Sequence, residues 1–250
     1  MKSDKNFQEY NLDDPETTMQ HRKMLLEKPF LKRLYTDWYN IFHHKINLKT
    51  PGLFLELGSG GGFLKDVFPE VITSDILELE CVDMMCNAEN LPFENESLSG
   101  IMMLNVFHHI PSPHLFLKEA ERTLRHGGKV VMIEPANSFW GRFVYKHFHH
   151  EPFDPKGEME IESGRPLSNS NQALPYIFFE RESKSFTSNY PQLRIVSISY
   201  HTPFRYIISG GFSHKAMLPA FMYPVVKGLE FLLSSLSRAL GLFCTIELEK

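Results

Sequence analysis

The stretch Leu53-Phe54-Leu55-Glu56-Leu57-Gly58-Ser59-Gly60-Gly61-Gly62 decides how this chain is read. Four apolar residues around one acid predict a short buried strand. The glycines after it predict a turn whose backbone can come close to a ligand. A helix predicted from Phe63 to Val67 would aim its first N–H groups at whatever that turn holds. Further along, Val71–Asp75, Ser99–Val106 and Lys129–Ile133 read as apolar strands, the last running into Glu134-Pro135. Leu115–Arg125 reads as a helix closed by Gly127-Gly128. Apolar strands alternating with helices predict an α/β fold: a doubly wound, mostly parallel sheet covered on both faces.

On the N-terminal side, residues 15–47 carry apolar residues at helical spacing, with Pro29 as a break and Thr50-Pro51-Gly52 as the end, so 1–47 reads as a helical cap. On the C-terminal side, 136–189 breaks the alternation and reads as an inserted lid. Leu193–Tyr200 and Phe243–Glu249 read as the last strands, with a helical insertion at 201–241 between them. Within it, Val225–Leu240 reads as one helix. Its charges Lys227, Glu230 and Arg238 fall within about an 80° arc, opposite Val225, Leu229, Leu232, Leu233, Leu236 and Leu240. That leucine face is expected to cover the sheet or a homodimer partner. A peripheral membrane contact ranks below this, because the polar face carries only two basic residues.

The 250 residues include 26 Lys and Arg against 30 Asp and Glu, a net charge of −4 that argues against nucleic acid as partner. Three cysteines with no paired spacing exclude a disulfide scaffold. Met1–Asp14 has no apolar signal region, and the longest apolar run, Met217–Val226, is ten residues with two prolines. The expected location is the cytoplasm, with no transmembrane span.

The dinucleotide pattern G-x-G-x-x-G would need glycine at position 63, where Phe63 stands, and the G-x-x-x-x-G-K-[ST] phosphate loop is absent. Asp75 at the end of the second strand suits two ribose hydroxyls, since a carboxylate accepts two hydrogen bonds at once. Glu56, just before the turn, favours a cation over a pyrophosphate. A positively charged nucleoside fits better than NAD.

The ordered blocks Glu56–Gly62, Asp75, Asn87-Ala88-Glu89-Asn90-Leu91-Pro92-Phe93, Asn105-Val106-Phe107-His108-His109 and Leu124–Gly128 resemble those of class I S-adenosylmethionine-dependent methyltransferases, in the small-molecule, type 11 branch. The resemblance covers about residues 50–135. It implies a Rossmann-like seven-stranded sheet and S-adenosyl-L-methionine as cofactor. By that resemblance Gly58, Ser59, Gly60 and Gly62 shape the turn against the methionine moiety, and Glu56 lies near its ammonium. Asp75 binds the ribose, Asn87 and the Ala88 backbone read adenine, and Asn105 and Val106 line the far side. Asn87 departs from the aspartate usual there but keeps an acceptor oxygen.

Methyl transfer from a sulfonium needs alignment and, for a hydroxyl acceptor, a place for the proton. His109 is the first candidate base, with His108 beside it and His149 and His150 in the lid; loop packing is the competing reading for all four. The segment His147–Pro155 lacks a helical ligand pair, so no metal is expected. The expected reaction is O-methylation of a small or medium-sized acceptor, such as a glycan or lipid-linked precursor. The alternative is a non-catalytic cofactor-binding regulator of the same fold. The 21 Phe, 9 Tyr and 2 Trp are concentrated outside 48–135, where only Phe54, Phe63, Phe68, Phe93, Phe107 and Phe116 occur. The rest are expected to line an acceptor pocket or an interface.

Overall fold

A computed structural model describes residues 11–250, so the start of the expected cap, 1–10, lies outside the described residues. Seven strands form one sheet: β1 Leu53–Leu57, β2 Ile72–Asp75, β3 Met84–Met85, β4 Leu98–Leu104, β5 Leu124–Pro135, β6 Arg194–His201 and β7 Phe243–Glu249. Their order is β3-β2-β1-β4-β5-β7-β6. β7 runs antiparallel to both neighbours, and the other pairings are parallel. The order reverses between β1 and β4, where Leu55 pairs with Ile101 and Leu57 with Met103. A ligand crevice opens at the carboxyl ends of strands flanking such a reversal.

Helix α1 is Pro15–Glu27 and α2 Pro29–Lys45, so the break at Pro29 falls where expected. Asp14 caps α1 by accepting the Glu16 N–H, and proline occupies the first position of both helices. After β1 comes the short α3, Leu64–Val67, and between β4 and β5 lies α4, Pro113–Thr123. α4 ends two residues earlier than the sequence predicts. Leu124 turns extended and pairs with Leu98, and Gly127-Gly128 sits inside a β5 with shifted register rather than at a helix end. The two-residue β3 carries no periodicity and was not expected, which makes the strand before His108 the fourth.

The segment expected as a lid holds regular structure at both ends. α5 spans Phe139–Phe148, α6 Leu174–Tyr176 continues into a wider π turn at Ile177–Arg181, and α7 is Ser183–Asn189. Between β6 and β7 lie α8 Arg205–Ser209, α9 Tyr223–Leu232 and α10 Ser237–Leu240. The single helix expected over 225–240 is therefore interrupted. The Leu233 N–H reaches back to both Leu229 and Glu230, and a 3-10 turn follows at Ser234–Leu236.

The face assignment of that helix is also corrected. α9 buries Tyr223, Val226 and Glu230, and leaves Val225, Leu229 and Leu232 exposed. Glu230 is drawn inward by Arg205: its Oε1 accepts the N–H groups of Phe204 and Arg205, each at 2.8 Å, and its Oε2 pairs with the Arg205 Nε. Arg205 also reaches Asp37 at 2.6 Å and the Tyr223 hydroxyl at 2.7 Å. A buried charge network turns the helix over.

Two apolar layers sandwich the sheet. One joins Trp38, Tyr39 and Phe42 of α2 to Phe63, Tyr145 and Phe243; the other joins Phe107 and Phe116 to Phe178, Phe179, Phe186 and Tyr190. Most of the aromatic excess thus fills the core between helices and sheet, where interlocking rings bury large apolar area. The expectation that these rings line a pocket does not hold for them.

Candidate active site

Gly58 and Gly60 adopt left-handed conformations, φ +63° and +49°, which side chains with a Cβ rarely tolerate. A Cβ on Gly58 would also lie 2.5 Å from Val106, so the β1 turn and the β4 loop touch across the crevice. Helix α1 closes over the same turn. A Cβ on Gly61 would meet the Arg22 backbone nitrogen at 2.7 Å, and the Arg22 guanidinium donates to the Gly62 carbonyl. The sequence did not announce this. The cap packs directly on the glycine turn.

Glu56 is buried beneath the turn, and its carboxylate takes one hydrogen bond, from Ser59 Oγ at 2.6 Å. Burial pushes its carboxyl up to about 7, against the Ser59 bond and with help from Asp75. Asp75 ends β2, where Oδ2 accepts the Gly60 N–H at 2.8 Å and Oδ1 that of Leu77 at 3.0 Å. Burial raises its pKa too, against the backbone bonds from Leu77, Gly60 and Ile76. Each oxygen keeps a further lone pair.

Asn105 holds φ +57°, costly for a residue with a side chain, and its buried Oδ1 has no partner among the described residues. Asn87 is exposed, and its Oδ1 accepts the Glu89 N–H at 2.9 Å. Ala88 is half-buried beside it. A buried carboxylate with no cationic side chain on it among the described residues, an orphaned amide oxygen and a glycine cradle are what a cationic nucleoside would need. The residues present fit S-adenosylmethionine.

Past the β4 end, Glu134 organises the second half of the site. Its Oε1 accepts the N–H groups of Val106 and Phe107, each at 2.8 Å, and its Oε2 lies 2.6 Å from His108 Nδ1. His108 Nε2 stands 3.4 Å from Glu151 Oε2. Burial opposes charge on His108, but Glu134 and then Glu151 outweigh it and lift its pKa to about 9. His108 is therefore an imidazolium held between two carboxylates at neutral pH.

His109 is different. Its Nδ1 lies 3.2 Å from the Asn169 carbonyl, which can only accept, so Nδ1 carries the proton and the lone pair is on Nε2. Nε2 stands 3.8 Å from Glu151 Oε1. Burial and the His108 charge hold its pKa down to about 4. Glu151 is well below the ordinary carboxylate range; burial opposes this, and His108 with the neighbouring histidines outweighs it.

His149 joins the group through Gln172, whose Nε2 is 2.6 Å from His149 Nδ1 and 2.9 Å from Glu151 Oε2. Burial lowers His149 to about 4. His150 sits on the exposed rim, its Nε2 3.7 Å from Glu151 Oε1. All four expected histidines thus converge on Glu151. Glu134, Glu151 and Gln172 were missed as site residues, although His149-His150-Glu151 shows the second of them in plain view. Among the described residues, His108, His109 and Glu151 also form a group whose ligand atoms lie within 4.8 Å of one another.

The irregular stretch between α5 and α6 lies over this cluster. Leu167 and Ser168 are tied to Asp13 before α1, and the Asn171 N–H donates to the His108 carbonyl at 3.0 Å.

Residues 55–132, from β1 into β5, match the methyltransferase domain family. No curated protein matches the chain. Among solved structures, a geranyl diphosphate C-methyltransferase from Streptomyces coelicolor A3(2) is similar over 96% of this chain and 86% of its own, at 12% identity and a TM-score of 0.53. That enzyme was solved with Mg2+, geranyl diphosphate and S-adenosyl-L-homocysteine. A SAM-dependent methyltransferase from Archaeoglobus fulgidus is similar over 91% of this chain and 99% of its own, at 16% identity and a TM-score of 0.52. At these identities the likeness establishes the fold, and the family match agrees with the glycine turn and the acids around it. Residues 55–132 are thus a methyltransferase domain, carried on the fold of the class I S-adenosylmethionine-dependent methyltransferases, and S-adenosylmethionine is the cofactor that the site fits.

Proposed function

We propose that the enzyme methylates a hydroxyl oxygen of a small or medium-sized acceptor, such as a glycan or lipid-linked precursor, with His109 as the proton acceptor. The observation that carries this reading is the uncharged His109, whose Nε2 lone pair is directed away from Asn169 toward Glu151. When bound, the cofactor supplies a methyl already activated on a sulfonium. The chain then has to align the acceptor oxygen and receive its proton.

Glu56 would hold the methionine ammonium, Asp75 the ribose, and Asn105 Oδ1 a donor of the cofactor. Asn87 and Ala88 would read adenine. Glu134 fixes the backbone of Val106 and Phe107 and the ring of His108. His108 in turn holds Glu151, and Glu151 faces the lone pair that takes the proton. His149 and His150 would contact the acceptor from the lid side. His109→Ala should lower kcat about 10²–10⁴-fold while leaving S-adenosylhomocysteine affinity unchanged, as measured by methyl incorporation into a panel of free and lipid-linked sugars. Turnover equal to wild type would sink the base assignment.

A second reading has its own observation. His108 and His109 each anchor Nδ1 on an oxygen and turn Nε2 toward Glu151, at 3.4 and 3.8 Å. Ligand atoms around a tetrahedral divalent ion sit about 3.3 Å apart, and histidine ligands are characteristically anchored through the other nitrogen. A divalent cation there would polarise the acceptor hydroxyl in place of a base. Chelator treatment separates the two. Loss of activity restored by added Zn2+ or Mn2+ favours the cation, and indifference to chelator favours His109.

A further inference from the structure

The inverted helix leaves an apolar row on the surface. Val225, Leu229 and Leu232 of α9 follow one another at steps of four and three, and each is more than half exposed, as are Phe231, Phe221 in the turn before the helix and Leu236 in the turn after it. α10 packs against α5, whose Phe139, Phe143 and Phe148 are exposed as well. The Phe143 ring lies between Trp140, stacked 5.6 Å away, and the exposed His147 and Phe148, at 4.8 and 5.9 Å. Scattered exposed leucines need no explanation, but six large apolar residues exposed between positions 221 and 236 do.

The charges around it are one-sided. From Arg205 to Leu240 the only acid is Glu230, and it is buried against Arg205. The segment Asn137–Phe148 contains no acid and exposes Arg142 and Lys146. Lys215, Lys227 and Arg238 are also exposed. Lys227 pairs with Asp37 and Arg238 with Glu180, but in both pairs the acid is the more buried member, at 23% and 15% exposure, and the cation faces outward. All this belongs to a chain of net charge −4.

We propose that this face docks on an anionic lipid bilayer, with the exposed apolar residues of α9 and its flanking turns and the α5 phenylalanines in the headgroup and acyl boundary and the basic residues among the headgroups. A surface of this kind combines an apolar strip with a cationic rim, the two terms that drive interfacial binding. A second copy of the chain fits less well. A twofold dimer sets a patch against itself, and this patch would bring its cations face to face with no exposed acid to answer them. The docking face does not depend on the O-methylation reading. It is linked to the site by the chain itself, because exposed Phe148 directly precedes His149.

The test is co-sedimentation of the full chain with vesicles of phosphatidylcholine alone and with vesicles of phosphatidylcholine and phosphatidylglycerol in equal parts, together with sedimentation velocity without lipid. The wild type should bind the mixed vesicles and bind the neutral ones far less, with salt weakening the difference. Leu229→Ser/Phe231→Ser/Leu232→Ser should lower that binding at least about tenfold while melting and S-adenosylhomocysteine affinity stay as in wild type. Lys146→Glu/Lys215→Glu should lower it through charge alone. No binding to either vesicle overturns the proposal, as does equal binding to both. A wild-type dimer that the triple serine variant converts to monomer, without vesicle binding, would assign the face to a second copy.

Discussion

Glu56 and Glu230 are both buried glutamates, and their surroundings differ completely. Glu230 has two backbone donors and the Arg205 guanidinium, which is itself shared with Asp37 and Tyr223. Glu56 has one serine hydroxyl, and burial drives its carboxyl up to about 7. The first arrangement is complete within the chain and holds α8, α9 and α2 together. The second is unfavourable for the protein alone and makes sense where a cation docks. A buried charge therefore signals function when its partner set is short, and architecture when it is full.

The largest effect that would sharpen this contrast is on stability. Arg205→Leu strands Glu230 in the interior and should cost about 3–5 kcal/mol in a denaturant melt. A loss below about 1 kcal/mol would remove the distinction between the two glutamates. Next is Asp75→Ala, which removes both candidate ribose acceptors and should weaken S-adenosylhomocysteine binding by roughly 100-fold in calorimetry. Unchanged affinity would show that Asp75 serves only the Gly60 and Leu77 backbone.

Glu56→Gln should be milder, roughly tenfold in affinity, with folding stability unchanged or raised because a buried charge is gone. Wild-type affinity should also fall as pH drops through about 7, since protonated Glu56 no longer attracts an ammonium. The Gln variant should lose that pH dependence.

The last effect, at His108, is read from pH rather than from affinity. Its folded pKa is raised to about 9 from an ordinary 6.5, so the stability it contributes is fully present below about 6.5 and is lost as pH rises through about 9. Chemical denaturation across that window should show the decline in wild type and a flatter profile in His108→Gln.

The sequence was easiest to read where local chemistry dictates local shape. Leu53–Gly62 reads as strand and turn because alternation to glycine leaves few other structures, and Asp75 stands out as an acid closing an apolar run. Proline at 29 marks a break that the helices respect. The histidine cluster was half legible: His108-His109 and His149-His150 carry its type, but Glu134, Glu151 and Gln172 complete it through contacts 21 to 43 residues apart in the chain, which no spacing rule reports.

Val225–Leu240 shows the opposite failure. Its periodicity is real and would turn six apolar residues toward the sheet or a homodimer partner. The fold turns Glu230 inward instead, because Arg205 and two backbone N–H groups are waiting for it on another helix. The aromatic excess misleads in a similar way. Composition cannot tell a ring that fills the interior, like Trp38 or Phe178, from one left outside, like Phe231.

The closeness of α1 to the glycine turn also bears on how relatives of this chain can diverge. Gly61 has no room for a Cβ because the Arg22 backbone lies against it. A relative with a larger residue at this position must carry an α1 that has retreated, tilted or been lost. Residue 61 and the cap should thus covary as one unit, and the presence of glycine there would report, from sequence alone, whether a relative closes its cofactor end with a helix of its own.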